Sequence, residues 1–267
     1  MANEKGPRLI SAGMLLFGLA QFGLLASGQA EATVQPPFQA KSNTIRSVNE
    51  VKESPLACNI NALTAAQRQQ IHKLLLEFGA SRKEVKELPN GYAVRLPAEG
   101  AMIQDAAQYV TLERLCCPFF DFVLEAKREG GPIWLTLTGR EGVKEFAKIE
   151  FGVRETSAEA SAGNPKESPL ACNDGALSAA QWQRLGALLK QFRGGQQGVR
   201  ELPDGYAIRL RGEASTITDV AEYMAMVRLC SPYFETALEV ACEGGPLWLK
   251  VTGRPGVKEL VKAEFKL

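Results

Sequence analysis

The segment ELPNGYAVRL at positions 87–96 decides how the chain is organised, because it returns as ELPDGYAIRL at positions 201–210. Self-similarity at a fixed spacing indicates a repeated structural unit. The same spacing of 114 residues relates two further pairs of segments: ESPLACN at 53–59 and 167–173, and GGPIWLTLTGREGVKE at 130–145 with GGPLWLKVTGRPGVKE at 244–259.

The repeat predicts two copies of one domain, at 53–151 and at 167–267. Two copies are too few for a solenoid, so we expect two globular domains. Residues 31–52 and 152–166 are rich in small and polar residues without periodicity, which is typical of flexible linkers. The remaining segment, 1–30, has the features of a signal peptide.

That N-terminal segment begins with a charged stretch containing Lys5 and Arg8, followed by an almost wholly apolar run at 9–26. Small residues then lead to Ala30, after which we place the cleavage site. This pattern predicts export to the periplasm or the extracellular space. The alternative is an uncleaved membrane anchor formed by residues 9–26, although its length is at the lower limit for a membrane span.

Each copy has the pattern of an α-ββ-α-ββ-α unit. Thr64 with Gln67, and Ser178 with Gln181, form capping boxes that begin the first helix of each copy. Pro89-Asn90-Gly91 supplies the chemistry of a hairpin turn. We therefore predict an α+β fold in which each domain has a four-stranded, mainly antiparallel sheet with helices on one face.

Charge and histidine content exclude several classes of function. Lys and Arg number 31 against 30 Asp and Glu, so the net charge of +1 gives no reason to expect nucleic-acid binding. The single histidine, His72, excludes a His-rich metal site. We expect a small ligand or a protein as the partner, and a membrane only if the N-terminal segment is retained.

The six cysteines are the residues that carry chemistry. Cys58 corresponds to Cys172, and Cys116 corresponds to Cys230. In an oxidising compartment disulfides are the default expectation. One interpretation is therefore a bridge in each domain, Cys58–Cys116 (or Cys58–Cys117) and Cys172–Cys230, since sequence alone does not determine connectivity.

The second interpretation is metal binding. Thiolates prefer soft ions such as Cu(I) or Hg(II). Copy one offers two or three thiolates from Cys58, Cys116 and Cys117, whereas copy two offers two, from Cys172 and Cys230. These five cysteines are the candidate metal ligands, and a soft metal ion is the only cofactor we expect.

A structural zinc site needs four ligands. In copy one the fourth would have to come from Glu113 or His72, but copy two has Val227 and Gly186 at those positions. The sequence therefore argues against a zinc site common to both copies.

A thiol oxidoreductase is the third interpretation, and it requires an exposed cysteine with a lowered pKa. Cys116 and Cys117 lie at a helix C-terminus, where the helix dipole disfavours a thiolate. Cys117 and Cys242 would be left unpaired by the two expected disulfides, so they are the thiols to test for this activity.

The run RLCCPFFDF at 114–122 resembles a small bacterial domain that carries an E-x-x-C-C-P/S-F-x-x-F segment, an upstream loop cysteine and a closing G-x-x-L-x-L-x-G-x-x-G stretch. Here Glu113, the Cys-Cys-Pro-Phe run and Cys58 match that pattern. Many relatives of this domain are linked to heavy-metal or mercury-response regulators, which implies thiol binding of a soft metal. The second copy departs from the pattern, with Val227 and Ser231 in place of the glutamate and the second cysteine.

The leading hypothesis is an exported, non-enzymatic protein that binds a soft metal or a thiol-reactive ligand. The alternative is a structural or interaction module in which the cysteines only form disulfides.

Overall fold

The computed structural model describes residues 53–153 and 167–267. The predicted signal peptide at 1–30, the linker at 31–52 and residues 154–166 lie outside the described residues. We refer to 53–153 as the first half and to 167–267 as the second half.

The described residues form an α+β fold with six α-helices and eight antiparallel strands. The helices are α1 (Ala65–Ser81), α2 (Gly100–Cys116), α3 (Val143–Glu150), α4 (Ala179–Gly195), α5 (Ala214–Cys230) and α6 (Val257–Phe265). The strands are β1 (Glu84–Leu88), β2 (Gly91–Leu96), β3 (Asp121–Ala126), β4 (Ile133–Thr138), β5 (Gly198–Leu202), β6 (Gly205–Leu210), β7 (Phe234–Val240) and β8 (Leu247–Gly253).

Both predicted capping boxes are present. The amide nitrogen of Gln67 donates to the Thr64 hydroxyl at 3.2 Å, and the Thr64 amide donates back to the Gln67 side chain at 2.8 Å. Ser178 and Gln181 make the same reciprocal pair at the start of α4. Local side-chain chemistry therefore sets where α1 and α4 begin.

The sheet differs from the expected pair of separate four-stranded sheets. All eight strands form one antiparallel sheet in the order β1-β2-β4-β3-β7-β8-β6-β5. The two halves join where β3 pairs with β7, with Leu124 opposite Leu238. Without this pairing, β3 and β7 would each be an edge strand with unsatisfied backbone groups, and pairing two such edges removes both.

A single hydrophobic core runs across the junction between the halves. α2 and α5 pack against each other and against the same face of the sheet. Their small and apolar side chains, such as Ala106, Ala107 and Ala221, are almost fully buried, which lets the two helices approach closely. Because α2 and α5 pack against each other, the positions of their ends, where the cysteines lie, depend on both halves.

Candidate functional site

A backbone hydrogen bond ties each loop cysteine to the end of a core helix. The amide nitrogen of Asn59, next to Cys58, donates to the carbonyl oxygen of Cys116 at 2.7 Å. In the second half, the amide of Asn173 donates to the carbonyl oxygen of Cys230 at the same distance. Cysteines nearly 60 residues apart in sequence are thus neighbours in space.

The structure pairs Cys58 with Cys117 as a disulfide, with the two Cα atoms 4.6 Å apart. Cys116 is the last residue of α2, and its sulfur lies 3.5 Å from the carbonyl oxygen of Glu113, back along the helix. Cys117 is the first residue beyond the helix, with φ at −128°, and its sulfur meets the loop of Cys58. The Cys58–Cys116 bridge does not form because Cys116 is still part of the helix. Cys117, just beyond the helix, bonds to Cys58 instead.

Cys116 nevertheless belongs to the same group of side chains. Its sulfur is 3.7 Å from the Cys117 sulfur and 3.6 Å from Oε2 of Glu113. The Glu113 carboxylate and the sulfurs of Cys58 and Cys117 lie within 4.8 Å of one another. We call Cys58, Cys116, Cys117 and Glu113 the first-half cluster; Cys58 is exposed and the other three are buried.

Burial keeps the titratable members of this cluster protonated. Burial, with a contribution from the nearby Glu150 carboxylate, raises the pKa of Glu113 to about 8. Burial and the Glu113 carboxyl group raise the pKa of Cys116 to about 12. Glu150 in turn accepts a hydrogen bond from the Tyr109 hydroxyl at 3.3 Å. A thiolate at Cys116 is therefore disfavoured unless a cation compensates its charge.

The sequence identifies Glu113 as a possible zinc ligand and as part of the Cys-Cys-Pro-Phe pattern, but it does not single out Glu150 or Tyr109. The signal for Glu113 is its position three residues before Cys116, which puts both side chains on one side of α2. Glu150 carries no such signal, because it lies on α3, which follows β3 and β4 in the sequence. It comes close to the cluster only through the folding of the chain.

The second half lacks the expected Cys172–Cys230 bridge, and both thiols are free. The hydroxyl oxygen of Ser231 lies 3.7 Å from each of the two sulfurs. Ser231 occupies the position that Cys117 has in the first half, so the residue that would meet Cys172 has no sulfur. Val227 is buried one turn before Cys230, where the first half has a carboxylate. We call Cys172, Cys230 and Ser231 the second-half cluster.

The two cysteines named for a redox activity are in unfavourable surroundings for it. Cys117 is buried and bonded to Cys58. Cys242 lies in the turn between β7 and β8, where its amide donates to Asp121 at 2.8 Å. Burial and the Asp121 carboxylate raise the pKa of Cys242 to about 11. His72 is exposed on α1.

Among the described residues, no helix has both the length and the apolar character needed to cross a membrane. Comparisons of the chain with protein-family models, with curated proteins and with solved structures found no match.

Proposed function

We propose that the protein is an exported, non-enzymatic binding protein, and that its first-half cluster, when reduced, binds a soft metal ion such as Cu(I) or Hg(II). The observation that carries this proposal is the convergence of three sulfur atoms and one carboxylate at the end of α2. Soft ions prefer thiolate ligands, and three converging thiols are more than a structural disulfide requires.

The spacing of the Cys116 and Cys117 sulfurs is close to that of two thiolates on one ion. Two sulfurs that bind one ion at about 2.3 Å in a tetrahedral arrangement are roughly 3.8 Å apart. Cys116 and Cys117 have their sulfurs 3.7 Å apart. Reduction of the Cys58–Cys117 bridge frees two thiols, which join that of Cys116, and the loop of Cys58 is already held in place. An external thiol reductant would deliver the two electrons and two protons for that step.

The protonation of the first-half cluster couples ion binding to proton release. The first-half cluster holds its protons at neutral pH because it is buried, so a bound ion would displace them and neutralise the thiolates. Glu113 would then be a fourth ligand once it has also lost its proton, and the displaced protons would pass to solvent. The second-half cluster has two thiols and no carboxylate, which suits a two-coordinate ion with lower affinity.

Two features of the sequence support the wider proposal. The charged start followed by the apolar run at 9–26 favours export. The resemblance of 113–122 to the Cys-Cys-Pro-Phe domain points to the same ligand class. The second candidate function, a structural or protein-interaction module, is favoured by one specific observation, the disulfide between Cys58 and Cys117.

The test is site-resolved protection of thiols in the full chain. The protein is reduced, given one equivalent of Hg(II), alkylated and analysed by mass spectrometry. The proposal predicts that Cys58, Cys116 and Cys117 are protected before Cys172 and Cys230. Equal alkylation of all five cysteines with and without Hg(II) would favour the structural module instead.

Two exchanges at equivalent positions provide matched controls. Cys117→Ser leaves the first half with two thiols, as in the second half, and we expect it to reduce the preference for the first half. Ser231→Cys gives the second half a third sulfur, and we expect it to raise Hg(II) protection of Cys172 and Cys230. If neither exchange changes the order of protection, the three-sulfur arrangement is not the basis of binding.

A further inference from the structure

The hairpin turn of each half reaches the cysteine segments of the other half. Glu129, in the turn between β3 and β4, and Glu243, in the turn between β7 and β8, have positive φ angles of 55° and 52°. Residues other than glycine adopt this conformation rarely. The Glu243 amide donates to the carbonyl oxygen of Pro118 at 2.7 Å, and the Glu129 amide donates to Pro232 at 2.6 Å. Pro118 directly follows Cys117 in the chain.

The side chain of Glu243 binds the segment that leads to Cys58 in the first half. One of its carboxylate oxygens accepts hydrogen bonds from the Ser54 amide at 3.0 Å and from the Ser54 hydroxyl at 2.7 Å. Arg140 of the first half donates to the same oxygen at 3.2 Å and also donates to the Ser54 carbonyl. Ser54 lies four residues before Cys58. The Glu243 side chain is only 10% exposed, so these bonds are partly shielded from water.

The charge state of Glu243 strengthens these hydrogen bonds. Burial alone would raise its pKa, but the hydrogen bonds from Ser54 and Arg140 outweigh burial and lower the pKa. Glu243 is therefore a carboxylate, and hydrogen bonds to an ionised acceptor are the stronger kind.

From these contacts we infer that Glu243 is a positioning residue for the cysteine site of the other half. It binds both the segment before Cys58 and the segment after Cys117, and so keeps the two sulfurs close enough to bond. The site is thus built by both halves of the chain. The inference deepens the proposed function, on which it rests for the identity of the ligand, but the geometry it describes concerns the cysteines themselves.

The second half offers the reciprocal arrangement. The Ser168 hydroxyl donates to the Glu129 carboxylate at 2.9 Å, and Arg254 donates to the Ser168 carbonyl. Ser168 lies four residues before Cys172. Glu129 should therefore position the second-half cluster and leave the first-half cluster unaffected, which makes its substitution a matched control.

The experiment measures the equilibrium between the Cys58–Cys117 disulfide and its dithiol in glutathione buffers, in the full chain and without metal. Mass spectrometry after alkylation gives the oxidised fraction. We expect Glu243→Ala to lower the equilibrium constant for bridge formation about tenfold, the scale of a lost charge-assisted hydrogen bond. Glu129→Ala should leave it unchanged. Glu243→Gln should restore most of it, since its amide oxygen still accepts from Ser54.

Equal shifts in Glu243→Ala and Glu129→Ala, or no shift in either, would overturn the inference. If Glu243→Ala does not fold, Ser54→Ala replaces it; this variant loses one hydroxyl bond, and a shift of about threefold is expected. No shift in Ser54→Ala would contradict the inference.

The same variants then separate this inference from the proposed function. In reduced protein we expect Glu243→Ala to weaken Hg(II) protection of Cys58, Cys116 and Cys117. If the unaltered chain shows no Hg(II) protection, the proposed function fails, whereas the disulfide equilibrium still decides whether Glu243 positions the cysteines.

Discussion

Loss of the Cys58–Cys117 bridge should measurably destabilise the protein. The bridge closes a loop with a sequence separation of 59 residues. In the chain-entropy description of disulfides, a loop of this size restricts the unfolded state enough to stabilise the fold by about 4 kcal/mol. Cys58 itself is exposed, so replacing it with alanine removes few packing contacts and isolates the contribution of the cross-link.

The assay is urea unfolding of the oxidised chain, of Cys58→Ala and of Cys172→Ala, each with and without reductant. We expect Cys58→Ala to lower the free energy of unfolding by about 4 kcal/mol, which for a fold of this size corresponds to a decrease in Tm of about 10 °C. Reductant should destabilise the unaltered chain by a similar amount and have no effect on Cys58→Ala. Cys172 is a free thiol, so Cys172→Ala should respond to reductant as the unaltered chain does.

A free energy of unfolding that differs by less than about 1 kcal/mol between Cys58→Ala and the oxidised chain would refute this reasoning, since the loop-closure contribution is several times larger. A reductant effect that persists in Cys58→Ala would place the stabilising bridge elsewhere.

Three further variants test the site and the fold. Because burial and a nearby carboxylate raise the pKa of Glu113 from 4.5 to about 8, its ionisation opposes folding progressively as the pH rises through that interval. Glu113→Val, which copies Val227 of the other half, should therefore be more stabilising at pH 9 than at pH 4, by a few kcal/mol in urea unfolding; a pH-independent difference would contradict this. Gly91→Ala should destabilise by more than about 2 kcal/mol, because its Cβ would collide with the backbone carbonyl of Leu137, whereas Gly79→Ala, in open space on α1, should be neutral or stabilising. Thermal melts of these two glycine variants that coincide would rule out the predicted collision.

The elements that the sequence predicts well are those set by neighbouring residues. The capping boxes at Thr64 and Ser178 need only a side chain three residues away, and both are present. The pairing of β3 with β7 joins strands more than 100 residues apart, and nothing in the alternation of Leu124 or Leu238 distinguishes a strand inside one sheet from a strand at a junction. The α+β class was therefore predictable, and the single eight-stranded sheet was not.

The candidate site was predictable in its residues but not in its connections. Adjacent cysteines at the end of a helix point in different directions, and the choice between Cys116 and Cys117 depends on where the helix ends, to within one residue. The effect of Glu150 on the pKa of Glu113 depends on how α3 packs. The hydrogen bonds between Ser54 and Glu243 depend on the junction between the halves. Each of these contacts is a consequence of tertiary packing, which local patterns do not report.

X-ray absorption spectroscopy of the reduced chain loaded with one equivalent of Hg(II) tests the central claim most directly, because it counts the sulfur atoms around the ion. A three-sulfur site gives three sulfur neighbours in the unaltered chain and two in Cys117→Ser. Two sulfur neighbours in both proteins, or a shell of nitrogen and oxygen alone, would contradict a three-sulfur site at the end of α2.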